Sequence, residues 1–322
     1  MSAAGTALIN KLQSAIADAA ALDAVISAGV IDFPKHNQVL QKTGNVATFK
    51  VTWRGAGTGV RLKQGATVIA ESATGDFVNV PPGWYQAVLM NGSVEGDGIN
   101  VGVGDVYVVA GQSNAVSPLQ PAGYVPARPS GAGKVIISDY YGQGMHSFVD
   151  SFNAPFTSPS FGGVAWIACG MALNRAYPVM FVIIAKGNTS AHDWAYLYGG
   201  RIYFAWANYN PRAILWHQGE SECTTPPAAD SYTMLNAIVE SLRQVAMTPW
   251  VIALNSTSAP PPAGYNSWPV RSAQQQVVAN WPHTRQGPDT DTIRTPGEPE
   301  FLGAALQSHG QLWAASLAAL GL

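Results

Sequence analysis

The sequence predicts an α/β chain: a doubly wound sheet of five parallel strands, preceded by a small β-sandwich and an N-terminal helix. Three observations carry this. Residues 106–110, 135–138, 179–185, 213–216 and 250–254 are unbroken apolar runs rich in Val, Ile and Ala, as expected of parallel strands covered on both faces. Stretches 164–175 and 232–245 between them carry helical periodicity, which gives the strand–helix alternation of an α/β domain. Upstream, residues 43–104 have another texture, with short alternating runs split by Gly, Asn and Pro, the pattern of a small antiparallel sandwich. The expected organisation is therefore a helical segment 1–42, a β-sandwich 43–104 and an α/β domain 105–322.

The helix is expected over residues 7–26, where Ile9, Leu12, Ile16, Leu22, Val25 and Ile26 recur at near-helical spacing and Gly29 supplies a stop. Its apolar stripe can pack on its own domain or seam to a second copy, so a homo-oligomer through this helix stays open. In the sandwich, Trp53, Trp84 and Tyr85 suit either a small core or a sugar-stacking platform, and core packing is the commoner use of such rings. The Pro-rich residues 258–262 read as a loop at the rim of the sheet.

Composition narrows the function classes. The 322 residues are 47% hydrophobic and 11% charged, with a net charge of −2, which excludes a disordered chain and argues against an electrostatic nucleic-acid binder. A small neutral ligand fits better. Cys169 and Cys223, the two cysteines, are too few for a disulfide framework and lack metal-site spacing, so both are expected to be packing thiols. No cofactor or metal is implied. No signal peptide or run of about 18 apolar residues is present, which predicts a soluble chain without membrane insertion and leaves an extracellular or virion-associated location open.

Functional groups of an open parallel sheet gather beyond the carboxyl ends of its strands. The first strand ends in Gly111-Gln112-Ser113-Asn114, a serine presented on a tight turn at the open edge. Ser is common in turns, so this string alone is weak. The third ends in Lys186-Gly187-Asn188-Thr189-Ser190, with Trp194 four residues on; a Gly-Asn pair accepts left-handed conformations that can turn a backbone N–H toward a developing oxyanion. An ordinary strand-to-helix turn explains it equally. The fourth ends in Trp216-His217-Gln218-Gly219-Glu220-Ser221-Glu222, where Gln218 can donate to an oxyanion and Glu220 can orient its polar neighbours.

Together with Val270-Arg271-Ser272-Ala273-Gln274, these strings resemble the successive blocks of the sialate O-acetylesterase and acetylxylan esterase group of SGNH hydrolases, over roughly residue 104 to the end. The resemblance implies a flavodoxin-like three-layer α/β/α domain and a serine esterase acting on acetylated carbohydrate. It implies Ser113 as nucleophile, with its own N–H, the N–H of Asn188 or Gly187 and the Gln218 side chain as the oxyanion hole. Gln112, Asn114, His217 and Glu220 would support them. The family's Gly-Gly-Thr is Gly187-Asn188-Thr189 here, a change that a backbone donor tolerates.

The departure lies near the C-terminus, where the family carries Asp-x-x-His before its last helix. That string is missing, and its histidine would fall near Glu300. His309 is the expected base, with Glu300 beside it, and His217, His283, His192 or a carboxylate base stay open. One helix over residues 301–320 would bury His309 with Leu302, Leu306 and Trp313; Gly310, which costs about 1 kcal/mol inside a helix, would instead let the helix begin later. A glycan-binding or virion-attachment protein that lost its base is the rival reading, and a lipid or thioester hydrolase a weaker one.

Overall fold

A computed structural model describes residues 11, 13–17, 29–117, 135–139, 147–150, 164–224, 247–256, 267–293 and 300–322. The chain divides into two compact units, Met1–Val103 and Gly104–Leu322. The helices expected over residues 7–26 and 232–245 fall largely or wholly outside the described residues, as does the loop at 258–262; residues 11 and 13–17 are helical.

The first unit is antiparallel. Its strands are β1 (Val30–Phe33), β2 (Gln38–Gln41), β3 (Ala47–Lys50), β4 (Thr52–Arg54), β5 (Gly59–Gln64), β6 (Thr67–Ser72), β7 (Asp76–Val80), β8 (Gly83–Asn91) and the first part of β9 (Val94–Gly111). β6, β5, β8 and β9 pair in that order, and β1–β4 and β3–β7 form two-stranded sheets. Val51, Leu62, Phe77, Tyr85, Leu89 and Val101 close the core, with Trp53 packed against it. Two of the three aromatic side chains, Trp53 and Tyr85, thus serve packing. Strands begin at Val30, which corrects the all-helical assignment of residues 1–42: β1 and β2 are four residues each, too short for alternation to show.

In the second unit the order is β11–β10–β12–β9–β13–β14–β15, with β10 (Val135–Asp139), β11 (Ser147–Asp150), β12 (Val179–Ile183), β13 (Ala213–His217), β14 (Trp250–Leu254) and β15 (Thr284–Asp289). This is a mixed α/β fold with a largely parallel central sheet. Among the described residues six strands run parallel, not five, and β11 is an antiparallel edge. β15 escaped the pattern because its sequence, TRQGPD, has no apolar run; it is an outer strand beside β14. Tyr107, Val109, Phe181, Ile183, Leu215 and Val251 line one face of the sheet and share a core with Trp166 and Trp313 from helices Val164–Leu173 and Ala304–Ala319. On the other face Trp216 meets Trp194 edge-on, with ring centroids 5.5 Å apart.

The last helix spans Ala304–Ala319 with Gly310 inside it, so it does not wait for Gly310 to begin. A Cβ at Gly310 would lie 2.0 Å from the Ala165 carbonyl oxygen. The glycine lets this helix approach Val164–Leu173 closely, and the packing offsets its propensity cost. Cys169 and Cys223 are free and buried, and burial pushes the Cys169 thiol far up. Among the described residues no helix is long and apolar enough to cross a membrane.

At the amino ends of the strands Asp105 is fully buried and paired with Arg212 Nη1 at 2.8 Å, with Tyr177 Oη donating from 3.0 Å. Arg212 Nη2 also reaches the Gly321 carbonyl. Arg175 Nε is the next cation, 3.9 Å from the same carboxylate, so removing Arg212 leaves the buried Asp105 charge with a weaker partner. Arg212→Met is therefore expected to destabilise the second unit by about 3 kcal/mol, measured by urea denaturation.

Candidate active site

The site is built from three adjacent strand ends. β9 ends at Gly111, with β12 on one side and β13 on the other. Lys186 N donates to Gly111 O at 2.9 Å, and Gln112 N donates to His217 O at 3.1 Å, so the turn carrying Ser113 is clamped from both neighbours. Gly111 sits at φ +124°, and a Cβ there would stand 1.9 Å from His217 O. Only glycine fits. Ser113 then opens a short helix, Ser113–Val116, anchored by Trp166 Nε1 donating to Ala115 O at 2.7 Å.

Ser113 is partly exposed. Among the described residues its hydroxyl has no hydrogen-bond partner, and its N–H is taken up by no acceptor. The β12 turn lies beside it: Asn188 is exposed at φ +56°, and Gly187 has open space around it. Thr189 Oγ1 holds this turn by donating to Lys186 O at 2.7 Å and accepting from Trp194 Nε1 at 3.0 Å.

Gln218 spans the three strand ends. Its Nε2 faces Gln112 Oε1 at 2.6 Å, Thr189 O at 2.8 Å and Glu222 Oε2 at 3.2 Å. An amide nitrogen has two hydrogens, so three acceptors leave none for an oxyanion. Glu222 also accepts from Ala191 N at 2.6 Å, and burial raises its carboxyl above the usual range despite these bonds. Gln274 Nε2 holds the Gln218 carbonyl at 3.0 Å, while its Oε1 accepts from Asn255 N; Arg271 donates to Asn255 O and pairs with Asp289 at 2.8 Å. The Arg271 guanidinium holds the Asp289 carboxyl below its ordinary value. The block Val270–Gln274 thus acts as a brace, a role its sequence did not disclose.

Asn114 is the second bracket. Its Nδ2 donates to Glu220 Oε1, and its Oδ1 accepts from Phe301 N at 3.0 Å. Glu300 is therefore one residue from a backbone contact with the turn that carries Ser113. Glu220 is buried, which by itself raises a carboxyl, yet adjacent His217 and the bond from Asn114 outweigh burial and hold it below the usual range.

The histidines are distributed differently from the expectation. His309 is fully buried in the last helix; its Nε2 lies 3.0 Å from His217 Nδ1 and 2.9 Å from Trp313 Nε1, and no hydrogen bond joins it to Ser113. His217 is fully buried, with Nε2 3.3 Å from Glu220 Oε1. His283 precedes β15, at the opposite end of the sheet from Ser113. His192 is exposed and stacks on Tyr196 at 4.6 Å. Among the described residues no group of three His, Cys, Asp or Glu could hold a metal ion.

A largely parallel α/β sheet with polar strand-end loops gathered around a serine turn is the layout of an SGNH-type esterase. The fold matches that of a carbohydrate acetylesterase from Xanthomonas citri with a TM-score of 0.63 and 16% identity, covering 91% of this chain and 76% of that one. A protein from Arabidopsis thaliana aligns at a TM-score of 0.49 and 15% identity (67% and 98% covered), and NanS at 0.41 and 14% (67% and 97%). A comparison with curated protein sequences found no match. Residues 103–286, more than half of the chain, match the family described as carbohydrate esterase, sialic acid-specific acetylesterase, and the chain belongs to that family.

Two expectations follow from the geometry. Gly111→Ala should destabilise the second unit by about 3 kcal/mol or more, since it combines a left-handed φ with a backbone clash; circular dichroism melting reads this directly. Burial, with His217 beside it, holds the His309 imidazole well below its ordinary 6.5, so the unfolded chain takes up a proton that the folded chain refuses. Stability from this group is complete above about pH 6.5 and is lost on acidification. The melting temperature should therefore drop between pH 7.5 and 5.5, and His309→Leu should flatten that part of the curve.

Proposed function

We propose that the chain is a serine-dependent carbohydrate O-acetylesterase. Its reaction domain, residues 105–322, would be an SGNH-type three-layer α/β/α domain following a β-sandwich over residues 43–104. The β12–β9–β13–β14–β15 order supports the flavodoxin-like core, since these strands taken in chain order read 2-1-3-4-5, with β10 added outside β12. Family membership implies ester hydrolysis on acetylated sialic acid or related carbohydrate.

The observation that carries the reading is the clamped turn at the end of β9, which presents Ser113, its backbone N–H taken up by no acceptor among the described residues, beside the Gly187-Asn188 turn. In the proposed reaction Ser113 Oγ attacks the acetyl carbonyl carbon and forms the acyl-enzyme as the sugar alcohol leaves with a proton. Water then attacks the acyl carbon, releasing acetate and restoring the hydroxyl. The Ser113 N–H and the N–H of Gly187 or Asn188 stabilise the tetrahedral oxyanion. Gln218 ties the loops together. Glu300 is the group we favour for the serine proton: it precedes the Phe301 N–H that binds Asn114, whereas His309 Nε2 faces His217 Nδ1 and Trp313, and His217 Nε2 faces Glu220.

Ser113→Ala should abolish acetate release from 4-nitrophenyl acetate and acetylated sialic acid without altering the fold, and retained turnover would remove the nucleophile. Glu300→Gln should lower kcat by roughly 10² with little change in KM, in the range of general-base loss; an unchanged kcat would return the role to an imidazole. A second reading, a glycan-binding protein on this fold, draws on the absence of a hydrogen bond to Ser113 Oγ among the described residues. Binding of an acetylated glycan by calorimetry, without hydrolysis by the wild type, would establish it instead.

A further inference from the structure

The segment that follows β12 carries side chains that neither the core nor the proposed reaction uses. Directly after the Gly187-Asn188 turn come a short helix, Ala191–Asp193, a π-helical turn, Trp194–Tyr198, and the helix Gly199–Tyr209. The start of this segment has no slack. Ala191 N donates to Glu222 Oε1 at 2.6 Å, the Ser190 and Asp193 side chains each accept from the other's backbone N–H, and Trp194 Nε1 donates to Thr189 Oγ1 at 3.0 Å. Thr189 O accepts in turn from Gln218 Nε2 and Ser221 Oγ. The outer face of residues 190–198 is thus held in fixed relation to the strand ends around Ser113.

That face is aromatic. Trp194 is fully buried and Tyr198 partly so, whereas Tyr196 and Leu197 are 69% exposed and His192 is exposed as well. A π turn, bonded from residue i to i+5, carries an extra residue, which sets Tyr196 and Leu197 side by side toward solvent between the inward Trp194 and Tyr198; such turns recur at functional sites. A lone exposed apolar side chain is ordinary. Here the Tyr196 ring is braced by the His192 ring, with centroids 4.6 Å apart, and its hydroxyl has no hydrogen-bond partner among the described residues. A braced ring loses little freedom when a ligand packs on it.

We propose that His192 and Tyr196 form a carbohydrate subsite, in which the Tyr196 ring packs against the C–H face of the substrate's sugar and His192 holds that ring in place. The occupant rests on the esterase reading: the acetyl group enters at Ser113, so the sugar that bears it must lie on the surface around that turn, and β12 adjoins β9 there. A ring with an apolar face and a polar edge suits a sugar, which has both. Tyr196 and His192 then contribute to sugar recognition and not to acyl transfer.

The test compares full chains on acetylated sialic acid and on 4-nitrophenyl acetate, which carries an acetyl ester and no sugar. Tyr196→Ala should lower the ratio of kcat/KM for the first to that for the second about tenfold, through KM, and Tyr196→Phe, which keeps the ring, should retain most of the wild-type ratio. His192→Ala should give a smaller fall. An unchanged ratio in Tyr196→Ala, or a Phe variant as poor as the Ala variant, overturns the proposal. So does a fall of that size in Trp268→Ala alone: that ring is 72% exposed at the head of the helix after β14, which β13 separates from β9. A wild type that turns over 4-nitrophenyl acetate and leaves the sugar ester intact overturns it too. If the wild type hydrolyses neither ester, the esterase reading fails by itself, and calorimetric binding of acetylated sialic acid decides the subsite. A Kd about tenfold weaker in Tyr196→Ala supports it, and equal affinity, or no binding by the wild type, overturns it.

Discussion

The close approach of β9 to β13 at Gly111 and His217 is the contact from which the site is organised. With no side chain at Gly111, the His217 carbonyl can accept from Gln112 N while Lys186 N binds Gly111 O from the other side. The chain must then leave the sheet in one direction, and Ser113 emerges at the start of a helical turn instead of continuing the strand. A methyl group at residue 111 would push the strand ends apart and move the Gln218 and Asn114 brackets with them.

Those brackets explain why so many polar residues follow buried strands. A buried polar atom without a partner costs about 1–3 kcal/mol, so such a cluster is held mainly by the bonds its members make to one another, while Gln218 Oε1, Glu220 Oε2 and His217 Nε2 find no hydrogen-bond partner among the described residues. Gln218 joins the loops after β9, β12 and β13, Gln274 holds the Gln218 carbonyl, and Asn114 joins Glu220 to Phe301. The loops are thereby cross-linked into one rim at the strand ends. Gln218 is engaged in holding these loops together.

The last helix changes the usual arrangement. Gly310 lets it lie against Val164–Leu173, and the same packing buries His309 between His217, Phe301 and Trp313. There its Nε2 meets Trp313 Nε1 and His217 Nδ1, and burial holds the imidazole well below its ordinary value. The segment before the helix still meets the turn that carries Ser113, through the Phe301 N–H, one residue after Glu300.

The sequence by itself determined the parts governed by local pattern. Buried parallel strands write themselves as apolar runs, which located β9, β10, β12, β13 and β14, and polar strings directly after three of them marked where Ser113, Asn188 and Gln218 gather. It missed β15, whose polar sequence pairs with β14 at the edge of the sheet, and β1 and β2, which are too short to show a period. Periodicity also put His309 on an apolar stripe, but only tertiary structure showed it fully buried, because that depends on Gly310 fitting over Ala165 and on Trp313 and His217 meeting its Nε2. The engagement of Gln218, the brace formed by Arg271 and Gln274, and the Asn114 bridge to Phe301 were likewise invisible. Each is a contact between residues far apart in the chain, and the geometry of such a contact exists only once the strands are in register.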